Sequence, residues 1–438
     1  KPGEIDAASA ASIEGEALFL RAHFHFEAWR MWGNIPYYLE DDTDFRKANN
    51  TDADAGIAAV VTALLSDLDA AIALLPTSPR SEARVSQWTA KAYKGRVEAY
   101  AASMGLAGHP WSDALATLRD VEANGPYALE PSFDRVWSGF SANENGPETI
   151  LAYQASANDG EPNGNNANYG ERLNFPHSGS PLGCCGFHQA SQNLVNFYRV
   201  DGAGLPLALT DANWNVNSTT FVAGNMAPVD PRLDWTVGRD GVPFKDWGTH
   251  EAGWIRQPTY GGRYSAKKNV HEKASGAESN VGWVPTQLNS VNIHIFRYAD
   301  MLLLLAEAEV EAGVIGNALA IVNEIRTRAR ATAQGCGFPS DPAFDDQLLV
   351  RYPGCSGDAR IAVPINDASI TWADYEVGNY AAFPDQAFAR NAVRFERRLE
   401  LAMEGQRFFD LRRWGVAETV LNAYLAVEET RQPYLTSA

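Results

Sequence analysis

NAVRFERRLELAMEGQRFFDLRRWG, residues 391–415, sets arginines, glutamates and an aspartate among Phe395, Phe408, Phe409 and Trp414. Such charge beside aromatic rings suits an active site, a grip on nucleic acid, or a helix laced with ion pairs. Spacing favours the last. Arg397 and Glu400, Glu404 and Arg407, and Asp410 and Arg413 each stand three apart, which is pairing distance on a helix. Phe395, Leu399 and Met403 recur at every fourth residue and make an apolar stripe for a neighbouring helix. Gly405 then marks a break or a close approach between two helical segments. The stretch reads as scaffold.

Further helical pairs are legible outward from it. IHIFRYADMLLLLAEAEVEAG (293–313) and NALAIVNEIRTRAR (317–330) flank the turn GVIG. Near the start, IEGEALFLRAHFHFEAWRMWG (13–33) carries Leu18, Ala22, Phe26 and Trp29 at helical spacing and stops at Gly33. AGIAAVVTALLSDLDAAIALLP (55–76), SQWTAKAYKGRVEAYAASMGL (86–106), opening on a Ser cap, and WSDALATLRDVEANG (111–125) follow. The expected class is therefore mostly α, with about four helix pairs of tetratricopeptide-like repeat type. Between them, from about 140 to 292, periodicity vanishes and Gly, Asn, Pro, Trp and Tyr dominate. A long irregular insert in a compact chain is usually functional or disordered, and the ring content favours order. The expected division is 1–139 helical, 140–292 loop-rich and ligand-binding, and 293–438 helical, all within one domain.

Bulk composition excludes several classes. Of 438 residues 45% are hydrophobic, enough for a substantial core. A net charge of −18 argues against nucleic acid, whose phosphates need basic patches. No stretch approaches the ~20 apolar residues that span a bilayer. Lys1 is not an initiating Met and no signal sequence follows it, so the chain is read as processed or partial.

Catalytic and metal motifs are lacking: GxSxG, GxxxxGK[ST], GxGxxG after a strand and HExxH do not occur. His23 and His25 lie two apart and face different sides of a helix, so they are not a ligand pair. His188 beside Cys184 and Cys185 is the one suggestive metal grouping. Cys336 and Cys355 flank a loop and could form a disulfide, whereas a bridge between the adjacent Cys184 and Cys185 would be strained. No cofactor is expected. Asp and Asn groups in 158–175 could hold Ca²⁺, but EF-hand spacing is absent.

FRYADMLLLLAEAEVEAG, ALAIVNEIRTRAR and ERRLELAMEGQRFFDLRRWG resemble the SusD-like (SusD/RagB) family of outer-membrane nutrient-binding lipoproteins. EALFLRAHFHFEAWRMWGNIPYY, LVNFYRVDGAGLPL and VDPRLDWTV are similar to the same family, in its order and across nearly all of the chain. Two departures stand out: the lipidated cysteine and further helical chain that the family has before the first helix seen here, and the usual closing segment, are not in this sequence. The resemblance implies a lipid-anchored cell-surface protein that captures oligosaccharide, or in some branches peptide. It would pass the ligand to a SusC-like TonB-dependent transporter and perform no catalysis. Alternatives from other classes are a helical-repeat scaffold that binds only protein and, more remotely, a glycosidase.

Sugar rings offer apolar C–H faces and a hydroxyl rim, so they are bound by rigid aromatic rings beside amides, carboxylates and guanidiniums. Five of the twelve tryptophans fall between 214 and 283, which directs the search to the insert. KDWGTHEAGWIRQPTYGGRYSAKKN (245–269) is the best single stretch. Candidate glycan contacts are Trp247, Trp254, Gln257, Tyr260, Arg263, Tyr264, Asn280, Trp283, Trp214 and, in a second loop, Tyr169. Trp235, inside DPRLDW, is instead expected in the core. Large rings also staple irregular loops, so each candidate carries that plainer reading too.

Overall fold

A computed structural model describes residues 4–217, 228–242, 244–248, 250–282, 285–332, 373, 375–432 and 435–436. Four helices come first: α1 (Ala7–Trp32), α2 (Ala53–Leu74), α3 (Gln87–Ser103) and α4 (Trp111–Asn124). Caps set three of their starts. Asp6 accepts from the Ser9 N–H, Asp52 from those of Asp54 and Ala55, and Ser86 and Thr89 form a reciprocal capping box. Each helix packs on the next. Gly95 permits the closest approach, since a Cβ there would stand 2.4 Å from Cδ2 of Leu118 on α4. By length and composition α2 is apolar enough to cross a membrane, which corrects the expectation that no stretch is. Here its Val60, Val61, Leu64 and Leu68 are buried in the core that it shares with α1 and α3.

A short α5 (Phe133–Val136) precedes the insert, whose described residues include the short helices α6 (Gln192–Phe197), α7 (Leu233–Thr236) and α8 (Pro258–Gly261). Its strands are β1 (Thr149–Tyr153), β2 (Val237–Arg239), β3 (Tyr264–Ala266) and β4 (Ile293–Arg297). They form two antiparallel pairs, β1 with β4 and β2 with β3. Residues 293–297, expected to begin a helix, are thus a strand that pairs with β1 and ties the two ends of the insert together.

Helices then return as α9 (Tyr298–Glu311), α10 (Ile315–Arg330), α11 (Gln386–Glu400), α12 (Gln406–Arg413) and α13 (Ala417–Glu428). The architecture is mostly α, with helices in pairs of tetratricopeptide type around one large core in which α9 touches α3, α4, α10 and α11. Gly405, at φ +78°, makes the turn between α11 and α12 that the sequence suggests.

A second core fastens the insert to the scaffold. Tyr198, Val229, Leu233, Val237 and Tyr264 pack with Phe395 and Leu399 of α11, and the Tyr198 hydroxyl donates to the Leu399 carbonyl at 2.8 Å. Trp235 is buried with Phe133 and Trp137, as expected of it.

Charge in the opening stretch is paired over long range. Only Asp410 and Arg413 pair as spaced, at 2.9 Å. Arg397 instead holds Asp300 at 2.8 Å and Asp410 at 3.0 Å, and Glu404 holds Arg297 and Lys268. Glu400, fully buried, accepts from Arg232 at 2.8 Å, Arg297 at 2.7 Å and Arg328. Local spacing misassigned these pairs because their partners come from α7, α9, α10, β4 and the insert. The outer face of α1 leaves Ile13, Leu20, Phe24, Met31 and Trp32 exposed.

Candidate ligand-binding site

Two loops of the insert are zipped together into a platform. The His177 N–H donates to the Trp254 carbonyl at 2.7 Å, and the Arg256 guanidinium to the Cys185 carbonyl at 2.7 Å. The Gln189 side chain both accepts from the Gln257 N–H and donates to the Gln257 carbonyl, each at 3.0 Å. Gly179 lies so close to Gly253 that a Cβ would meet its carbonyl oxygen at 2.1 Å. Gly186, at φ +71°, presses on Arg256 in the same way and turns the chain so that Phe187 faces outward. Cys184 and Cys185 are bridged to each other within this turn. That corrects the expectation against a bridge between neighbours and removes both sulfurs from any metal site with His188.

Exposed rings, each with a guanidinium against it, occur on these loops and on the neighbouring segment 169–175. Phe187 remains 47% exposed with the Arg256 guanidinium 4.3 Å from its ring centre. Tyr169, 38% exposed, carries Arg172 over its ring at 4.0 Å. Leu173 is exposed between them, and its carbonyl accepts from the Phe187 N–H at 3.1 Å. Gly170 abuts Ile293, whose partner across β1 and β4 is the exposed Tyr153. Flat apolar faces beside fixed donors suit a ligand that has both C–H faces and hydroxyls.

A cleft of about 360 Å³, with His188 on its wall, lies between residues 188–194 and the α11–α12 turn. Such a volume suits a small ligand. A second, polar-rimmed cleft of about 240 Å³ lies between the α2–α3 connection and β1, lined by Glu82, Arg84, Tyr127, Asn145 and Gln154.

The sequence-chosen residues do not form one row. Trp254 is only 6% exposed and sits edge-on to Phe244 at 5.6 Å, in a cluster with Phe175, Leu182 and Val270. Tyr264 is 2% exposed and its hydroxyl donates to Gln192. As ligand faces both are corrected: their rings fill cores under the irregular chain. Trp247 is half-buried and gives its indole N–H to the His271 carbonyl at 2.7 Å, and Trp214 packs on Phe197 with ring centres 4.4 Å apart. Gln257 works through its backbone in the zipper, whereas Arg263 and Asn280 are exposed. Trp283, the Tyr260 side chain, Cys336 and Cys355 lie outside the described residues.

Among the described residues Tyr169 is thus the one candidate ring that is exposed with a guanidinium on its face. Phe187, Leu173, Tyr153 and Arg172 were missed; the signal that could have found them is GCCGF, a ring set immediately after a glycine-rich turn.

In the loop 158–175 the Glu161 carboxylate accepts the backbone N–H groups of Asn163 and Asn165, and Asp159 that of Glu161. Those backbone bonds hold both carboxyls below the usual range. The acids organise their own loop. Among the described residues no group of three or more His, Cys, Asp or Glu side chains is placed to hold a metal ion. Burial pulls His250 down, and its ring nitrogens bond Asp240 at 3.0 Å and Ser265 at 2.9 Å.

A family model described as the SusD family matches residues 147–433. One described as "Starch-binding associating with outer membrane" matches residues 4–98. The SusD-like protein P38 of Formosa agariphila is 24% identical over 428 residues, which cover 95% of this chain and 69% of that protein. A SusD superfamily protein of Bacteroides vulgatus superposes with a TM-score of 0.61 at 20% identity, over 97% of this chain and 71% of that one. A laminarin-binding SusD-like protein does so with a TM-score of 0.59 at 20% identity, over 96% and 74%.

Proposed function

This chain belongs to the SusD family, and from that premise we propose that it is a binding protein that captures glycan at a cell surface, with Phe187 and Tyr169 as its platform. The observation that carries the reading is the pair of exposed rings, each beside a fixed guanidinium, on loops locked together by hydrogen bonds. A ring face covers the C–H face of a sugar, and Arg172 and Arg256 reach its hydroxyl rim. Rigid loops lower the ordering cost of capture. A structurally similar protein is described as laminarin-binding, which supports the same ligand class.

Delivery to a SusC-like TonB-dependent transporter, and attachment to the outer membrane through lipid, complete the proposal. The family description that names association with the outer membrane supports the location. The apolar stripe along α1 offers the transporter a broad contact face.

Phe187→Ala is expected to weaken glycan binding about tenfold or more, the scale of losing a ring at the centre of an interface. Its thermal midpoint should match that of the parent because the ring is half exposed. Tyr169→Ala should behave likewise. A glycan array with the purified protein, followed by affinity gels with both variants, makes the measurement. An array without any glycan bound, alongside binding to peptides, would transfer the platform to peptide capture; equal binding by parent and variants would place the glycan elsewhere.

A further inference from the structure

The 360 Å³ cleft beside Phe187 has an apolar floor of Leu194, Leu401, Ala402 and Met403, and the exposed ring of Phe408 on its rim. Its walls carry Arg397, Arg398 and Arg407. Arg397 is neutralised by Asp300 and Asp410. The other two are not. Arg398 lies on the Phe197 ring and gives one N–H to the Asn193 side-chain oxygen at 2.6 Å, with no carboxylate at ion-pair distance among the described residues. Arg407 has neither hydrogen bond nor ion pair among the described residues. Asp410, three residues on, is already held by Arg397 and Arg413.

Most buried arginines in this chain of net charge −18 are paired; among the described residues Arg96 is the buried exception, donating to Gln406 and the Ile295 carbonyl. Arg232, Arg239, Arg297, Arg328 and Arg413, all buried, each hold a carboxylate. Burial and then the neighbouring Arg407 charge pull Arg398 well below the usual guanidinium range, and burial lowers Arg407 too. Two like charges facing a half-enclosed cleft repel each other, and an anion seated between them removes that cost.

We propose that this cleft is an anionic subsite that seats a sugar unit bearing a carboxylate or sulfate ester between Arg398 and Arg407. Phe408 covers the face of that sugar, and His188 joins the subsite to the Phe187 platform. The ligand class is therefore acidic glycan rather than neutral glycan alone. The inference rests on the glycan reading of the platform, which the cleft adjoins at His188, the residue after Phe187. Guanidinium forks suit both oxyanions, since each presents paired acceptor oxygens.

The test is calorimetric titration of the whole protein with matched pairs, on the glycan array's conditions: oligogalacturonate against its carboxyl-reduced form, and dextran sulfate against dextran. At least one charged member is expected to bind about tenfold more tightly than its neutral partner, with a preference that shrinks as salt rises. The pair that shows it tells carboxylate from sulfate. Arg407→Gln should abolish the preference, leaving affinity for the neutral partner and the thermal midpoint unchanged. Arg398→Lys, which keeps charge on the Phe197 ring but loses the fork, should reduce it. Equal binding within both pairs, or a preference that survives Arg407→Gln, overturns the subsite while the glycan reading stands. A protein that binds no glycan on the array or in titration removes both.

Discussion

Glu400→Gln is expected to cost about 3–5 kcal/mol of stability, the scale for breaking a buried charge cluster from one side. Glu400 is wholly buried and its two oxygens receive Arg232, Arg297 and Arg328. Gln keeps the shape and removes the charge. Arg232 would retain Asp230 and Glu396, and Arg297 would retain Glu148 and Glu404. Arg328 would keep Glu148 alone. The damage should radiate, because these arginines tie α7, β4 and α10 to α11. Urea unfolding of parent and variant gives the difference. A gap below about 1 kcal/mol would mean that the neighbouring carboxylates carry the arginines unaided.

The same pair of proteins carries a pH signature. Burial alone would raise the Glu400 carboxyl, but the Arg328, Arg297 and Arg232 charges outweigh it and hold the group well below the ordinary range. The unfolded chain therefore takes up this proton first, near pH 4.3. Glu400 contributes its full stabilisation above that value and loses it as pH falls toward the folded-state value. The parent–variant difference should be flat above about pH 5 and shrink below about pH 4. A difference that grows on acidification would contradict the assignment.

Trp254→Ala is expected to cost about 3–5 kcal/mol through the cavity that it leaves. Its ring fills the space between Phe175, Leu182, Phe244 and Val270, and its carbonyl is one tooth of the zipper beneath Phe187. Glycan binding should fall together with the thermal midpoint, because the platform loosens when its floor is removed. Phe187→Ala separates the two effects, losing binding with the midpoint intact. If Trp254→Ala instead left the midpoint unchanged and abolished binding, Trp254 would be a ligand face and the burial argument would be wrong.

Spacing could not tell a ligand-facing ring in the insert from one that staples a loop, for a physical reason. A half-exposed ring and a buried ring have the same letter, and an irregular loop has no period that says which side is wet. In the helices a period does say so: Phe26 and Trp29, spaced for one face of α1, are both buried. Strand β4 shows the limit of local reading, since Ile293–Arg297 precede an apolar helix and become a strand only because β1 returns to pair with them.

Sequence alone determined the class and the family: helix periods, capping residues and turn glycines are local, and the order of motifs along the chain is unaffected by folding. It also pointed to the aperiodic insert as the place to look for ligand contacts. Tertiary structure decided which rings stay exposed and which charges are paired. Arg397 finds Asp300 and Asp410 rather than Glu400, while Arg398 and Arg407, one and ten residues later, find no carboxylate among the described residues and look into a cleft. Pairing and burial are set by which distant elements meet, and that information is not carried by spacing along the chain.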